Sequence, residues 1–234
     1  MGLDQTVADL RGIALQATDA TGYFPALYAR VTTEIARAAA GGTFEDGERM
    51  TAFATTFAGY YLTAFSDRAA APACWRASWD VAGDERLLIV QHLLLGINAH
   101  VNHDLPLAVV DVNAARADFL AVNAVLASTY TVVLRDLDRV SRWTNEAARL
   151  GGGRLFNFSL RVARDQAWDA SRRMLPLDAA GRTSYAAELD RLVTVLAYLV
   201  TQPAFPASLA VPLLRRFEQH DPVKVTRALL GPLA

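Results

Sequence analysis

The run Gln91-His92-Leu93-Leu94-Leu95-Gly96-Ile97-Asn98-Ala99-His100-Val101-Asn102-His103-Asp104-Leu105-Pro106 sets three of the chain's four histidines among strongly apolar residues. An apolar helix tolerates polar groups only where each one is satisfied, so their density here needs a reason. At about 100° per residue, His100 and Asp104 lie about 40° apart, one turn along a shared face, and His103 lies about 60° to the other side of His100. Asn98 and Asn102 share the opposite face. Gly96, one turn before His100, leaves room for a ligand or for a close helix. Asp104 and Pro106 bend the helix near residues 103–106, because proline has no N–H to give and disfavours helical geometry in the residue before it.

The pattern on either side of this run is helical as well. Ala, Leu and Arg dominate, Gly and Pro sit mostly between periodic segments, and no window alternates with period two. The periodicity predicts helices over residues 7–17, 22–40, 48–65, 84–102, 114–139, 158–174, 184–200 and 223–230. Residues 72–80 form a short aromatic stretch, 151–153 and 175–181 read as loops, and 203–212 read as a turn with a broken helix. The expectation is one all-α domain over residues 1–234, a bundle of about seven to eight helices around a proline-bent central one.

Composition narrows the function classes. Among 234 residues, 23 Lys and Arg stand against 24 Asp and Glu, a net charge of −1, which excludes a strongly basic nucleic-acid binder. Apolar residues make up 53% and charged residues 20%, a composition that folds. The single cysteine, Cys74, rules out an intrachain disulfide and fits a reducing, cytoplasmic setting. No apolar run is long enough to span a bilayer, and no secretory signal is visible at the start, so no membrane partner is expected.

The candidate chemistry centres on His100 and Asp104. A carboxylate one turn from an imidazole orients it and raises its basicity, the arrangement of a general-base dyad. The same pair, with His103, can instead ligate a divalent cation. The metal reading has less behind it, since neither paired Glu-x-x-His nor His-Glu-x-x-His occurs, and His92 and His103 are about 16 Å apart along the axis. A third reading has the pair as a buried structural hydrogen bond. Asp118 and Asn123 lie on the 114–139 helix, on or at the edge of one arc. Arg30 sits near apolar residues and reads either as a surface arginine or as a partner for a carboxylate, from substrate or from Asp104 or Asp118. Phe57, Tyr60, Tyr61, Trp75 and Trp168 are core aromatics first and cavity walls second, with Tyr60 and Trp75 set down as candidate lining. His220 reads as a surface residue and Cys74 as a buried, inert thiol. No Gly-x-Gly-x-x-Gly, P-loop, Gly-x-Ser-x-Gly or Cys-x-x-Cys is present.

Gly96-Ile97-Asn98-Ala99-His100-Val101-Asn102-x-Asp104-Leu105-Pro106 resembles the central motif of an all-helical family of bacterial and fungal proteins of unknown function, whose pattern is Asn-Ala-His-hydrophobic-Asn-x-Asp-Leu. Leu27-Tyr28-x-Arg30-Val31-Thr32, Asp118-Phe119-x-x-Val122-Asn123 and Arg164-Asp165-x-Ala167-Trp168 are similar to flanking stretches of the same family, so the likeness runs from about residue 20 to 175. It implies that Arg30, Asn98, His100, Asp104, Asp118 and Asn123 belong to one site, and it carries over no reaction.

These readings combine into an expected small-molecule enzyme that needs no cofactor. His100 oriented by Asp104 would perform acid–base chemistry of a lyase, isomerase or cyclase type, of the kind met in specialised metabolism. Arg30, Asn98, Asn102 and His103 would hold polar substrate groups or support the dyad. The alternatives are a metal-dependent hydrolase at His100, His103 and Asp104, and a non-catalytic binding or interaction module. An apolar helix face left uncovered would point to a homodimer.

Overall fold

The structure is a computed structural model that describes residues 2–137, 139–141, 143, 153–205 and 207–231. Its helices are α1 (Leu3–Gln16), α2 (Tyr23–Ala40), α3 (Gly47–Ser66), α4 (Ala73–Asp80), α5 (Ile89–Ala99), α6 (Leu105–Asp111), α7 (Arg116–Leu137), α8 (Gly153–Met174), α9 (Ala179–Thr201), α10 (Ala207–Arg215) and α11 (Pro222–Leu230). A single π-helical turn, His100–Asp104, joins α5 to α6. Among the described residues the only β-type pairing is an isolated antiparallel bridge between Ser141 and Glu218. The fold is all-α, as the periodicity predicts.

Several helix starts are set by carboxylates. Asp46 accepts from Arg49 N at the start of α3, Asp178 from Gly181 N at the start of α9, and Asp221 from Val223 N and Lys224 N at the start of α11. Two starts are supplied from far along the chain. Asp190 on α9 accepts from Ala73 N and Cys74 N, both at 2.8 Å, and so makes a helix of the 72–80 aromatic stretch. Glu218 accepts from Ile89 N at 2.9 Å, which starts α5 five residues later than the periodicity indicates. The 175–181 stretch is shorter as a loop than expected, because the Asp178 cap opens α9 at Ala179. Pro212 lies inside α10 where a broken helix was expected. The predicted loop at 151–153 lies outside the described residues apart from Gly153, which opens α8.

The rod formed by α5, the π turn and α6 runs between two apolar cores. On the α5 side, Leu93 and Ala99 join Leu10, Phe24, Tyr61, Trp75 and Leu229. On the α6 side, Leu105 and Val109 join Ile35, Phe53, Phe119 and Ala167. The π turn itself packs on α3, α8 and α9. It falls where the sequence predicts a bend. The N–H of Leu105 reaches back five residues to His100 O, and Pro106, with no N–H, cannot restore the four-residue ladder.

Gly96 serves a close helix rather than a ligand. A Cβ placed there would come within 2.6 Å of the Phe24 ring on α2. Gly96→Ala is therefore expected to cost about 1–3 kcal/mol of stability. Gly59→Ala on α3, where a Cβ meets nothing within 4 Å, is expected to be neutral or stabilising by up to ~1 kcal/mol. Urea denaturation of the two variants checks both.

Candidate functional site

The site is built on one carboxylate. Asp104, 1% exposed at the end of the π turn, accepts three N–H groups. Its Oδ2 takes Nδ1–H of His100 at 3.1 Å and Nε1–H of Trp75 at 3.0 Å, and its Oδ1 takes Nδ1–H of His103 at 2.8 Å. An ionised carboxylate only accepts, so both imidazoles present Nδ1–H toward it. Burial alone would push the Asp104 carboxyl up, but the hydrogen bonds from His100 and His103 outweigh it and hold the group below the usual carboxylate range. The imidazole of His100 is pushed the other way: burial lowers it against the pull of Asp104, which favours the neutral ring.

Aromatic rings enclose His100. Phe57 stacks on it with centroids 3.6 Å apart and planes within 6°, and Tyr28, Phe24 and Trp75 meet it at 4.4, 5.4 and 6.2 Å. Its Nε2 has no hydrogen-bond partner. With Nδ1–H committed to Asp104, that nitrogen is a buried lone pair.

A groove with room for about 380 Å³ opens beside this centre. Thr56, Gly59, Tyr60 and Thr63 of α3 form one wall, the turn from Asp67 to Pro72 forms the other, and Asp104 lies in its lining. Tyr60 donates its hydroxyl to Asp111 Oδ2 at 2.6 Å, and burial together with that carboxylate raises its pKa. The lining has two carboxylates, Asp67 and Asp104, and no cationic side chain.

Among the sequence-predicted residues, His100, His103, Asp104 and Trp75 meet in one cluster, and Tyr60 lies in the groove. His100 does not line the groove. The rings of Phe57, Tyr28 and Phe24 pack around it, and Asp104 is the member of the cluster that the groove lining includes. Asn98 and Asn102 face away, as their spacing suggests, and are spent on structure. Asn102 donates to Asn98 Oδ1 at 2.9 Å, and Asn98 donates to Val193 O of α9 at 2.9 Å. Arg30 is not part of the cluster. Its guanidinium pairs with Asp136 of α7 at 2.9 Å and donates to Leu229 O of α11 at 3.2 Å, so the expected partners Asp104 and Asp118 are replaced by Asp136. The side chains of Asp118 and Asn123 lie outside the described residues. Cys74 is fully buried, and burial with a hydrogen bond to Asp190 pushes its thiol pKa up. His220 is exposed.

Residues that the sequence did not single out complete the centre. Tyr28 and Phe24 on α2 help to wall in His100, and Asp190 positions α4 and with it Trp75. The pattern Tyr28-x-Arg30 carried a signal, but the tyrosine rather than the arginine reaches the centre. Among the described residues no group of three or more His, Cys, Asp or Glu is placed to hold a metal ion. The Nδ1 atoms of His100 and His103 both carry hydrogens toward Asp104, which leaves those nitrogens without lone pairs for a shared ion.

An all-α protein with a buried His–Asp–His centre under an acidic groove is the class that the fold and the site define. The chain belongs to the family of unknown function DUF5995, whose model matches residues 3–203 and so takes in every residue of the centre. No curated protein and no solved structure matches the chain. Among the described residues no helix is long and apolar enough to cross a membrane.

Acid should weaken this fold from the histidines first. Burial holds His92 at about 4, below its ordinary 6.5, and lowers His100 in the same sense. The folded state then carries fewer protons than the unfolded one, so stability is complete above pH 6.5 and falls as the pH drops toward 4, by on the order of 3 kcal/mol for His92 alone. Glu218, raised by burial, works in the opposite sense as a single carboxyl. Urea midpoints measured at pH 7, 5.5 and 4.5 are expected to fall, and His92→Gln is expected to flatten the fall. A profile level from pH 7 to 4.5 would contradict the assignment.

Proposed function

We propose that the protein is a small-molecule enzyme that needs no cofactor and performs acid–base chemistry of a lyase, isomerase or cyclase type at Asp104. The observation that carries this reading is an ionised, buried carboxylate in the lining of an open groove, backed by two imidazoles. A carboxylate offers about four acceptor positions and Asp104 has three filled, so one on Oδ1 remains. The surrounding rings keep the local dielectric low, where an anion interacts strongly with positive charge or with a mobile proton opposite it. The groove brings hydroxyls and carboxylates and no cation, so it suits a substrate that carries hydrogen-bond donors or a positive charge and excludes a polyanion. His100 and His103 act through Asp104 as positioning residues: their Nδ1–H groups fix its orientation and its charge.

A second reading, a non-catalytic binding module for such a ligand, is favoured by one specific observation. Three donors and a lowered pKa make Asp104 a weak base. The metal-dependent hydrolase gains no support from the donor arrangement.

The test is a screen of the full chain against a library of small organic amines and alcohols, with substrate depletion followed by mass spectrometry. Asp104→Asn is expected to lower turnover by about 100-fold or more. Gly59→Leu places a larger side chain in the groove wall at a position where a Cβ meets nothing within 4 Å, and is expected to abolish turnover, with the urea midpoint measured to show that the fold is kept. A ligand that is bound but never consumed by the wild-type chain selects the binding module. Turnover that is undiminished in both variants removes the site altogether.

A further inference from the structure

The stretch Arg164-Asp165-x-Ala167-Trp168 takes no part in the Asp104 centre, and on α8 it packs against Phe119 of α7. Arg164 is 6% exposed. Its guanidinium lies 4.8 Å from the centroid of the Phe119 ring, and its Nη2 donates to Phe119 O at 3.1 Å. Its Nε is buried and has no hydrogen-bond partner. Arg116, the first residue of α7, lies over the same ring at 5.4 Å and over Trp168 at 4.9 Å. Its Nη2 pairs with Asp165 at 2.8 Å, and its Nη1 is likewise buried without a partner.

The charges here do not balance. Arg30 has Asp136 against it at 2.9 Å. Arg164 has only the field of Asp165, a carboxylate already paired with Arg116, and the charge of Arg116 works against it. Among the described side chains, two guanidiniums thus share one carboxylate, at the end of α7 where the helix dipole adds positive potential. A buried guanidinium with an idle N–H is costly, and burial lowers Arg164 to about 10. The Nε–Nη edge of an arginine matches two oxygens of a carboxylate or a phosphate. We propose that Arg164 and Arg116 form a binding site between α7 and α8 for a small oxyanion, a carboxylate or a phosphate group. Entry is through Arg116. Its pair with Asp165 stands at the surface, with the side chains 40% and 48% exposed, and an exposed pair opens readily. By turning from Asp165 toward the incoming anion, Arg116 uncovers the Nε–H of Arg164, a side-chain rearrangement of the kind common on binding. The oxyanion then takes both idle N–H groups and supplies the missing charge.

Isothermal titration calorimetry of the full chain with sodium phosphate and, separately, with sodium acetate tests the site, at neutral pH and with the ionic strength held constant by sodium chloride. One saturable site is expected, with a Kd of ~1 mM or tighter for at least one of the two anions. Saturation by phosphate alone assigns the site to a phosphate group, and saturation by acetate alone assigns it to a carboxylate. The groove beside Asp104 has no cationic side chain to compete for either probe. Arg164→Met is expected to weaken binding by about 10-fold or more, and Arg116→Gln by a similar factor. Arg116 is the more exposed of the two, so its variant carries the test should Arg164→Met fold poorly, with the urea midpoint in sodium chloride as the control. A wild type that gives no saturable heat with either anion overturns the proposal. So does binding that neither substitution weakens.

Discussion

Burying a carboxylate is among the most costly things a small protein can do, and here the fold is arranged so that Asp104 never lacks a donor. The three N–H groups that it accepts come from two places in the chain: His100 and His103 on its own turn, and Trp75 on α4. The turn is a π turn, and that makes the arrangement possible, because it brings the residue directly before Asp104 and the residue four before it onto the two oxygens of one carboxyl. The Trp75 bond depends on α4 being a helix at all. Helix α4 is short, and its first N–H groups are held by Asp190 of α9. One of the three donors to Asp104 therefore depends on a line of contacts that runs from α9 through α4 to the π turn.

The same solution recurs where other charges are buried. Arg30 and Asp136 tie α2 to α7, with Leu229 O taking a further guanidinium hydrogen. Glu218 starts α5 and also accepts from Ser141 and Trp143. Arg164 lies over the Phe119 ring, donates to Phe119 O, and is lowered to about 10 by burial. Breaking one partner of such a pair costs more than the pair contributes, because it strands the other, so these contacts act as locks on the arrangement of helices more than as sources of stability.

How much could be read from the sequence follows from the range of each interaction. The all-α class, the polar rod at 91–106 and the His100–Asp104 bond are local and periodic, and they were legible. The bond from His103 to Asp104 was not, since it joins adjacent residues, about 100° apart on a helix, and depends on side-chain rotamers that periodicity does not report. Helix α4 and the true start of α5 were hidden because their caps, Asp190 and Glu218, stand more than a hundred residues away. Arg30 was assigned to the wrong carboxylate because its partner lies on α7, and nothing in the sequence distinguishes Asp136 from Asp104 or Asp118 as the closest acid. The groove was illegible for a similar reason: it is made by the Asp67–Pro72 turn folding back over α3, and its position beside Asp104 is a tertiary fact.

Helix α9 connects the buried centre with the surface. On its inner side it caps α4, which supplies Trp75, through Asp190, and it receives the Asn98 amide of α5, which leads into the π turn, at Val193 O. On its outer side it carries the uncovered Leu192–Leu199 stripe. Val193 and Leu192 are neighbours in sequence, one facing each way. Anything that docks on the outer stripe would restrain the helix that holds α4 and α5, through the Asp190 carboxylate and the Asn98 amide. The helix that carries the exposed stripe therefore also holds the elements on either side of the Asp104 centre, while the groove wall itself belongs to α3.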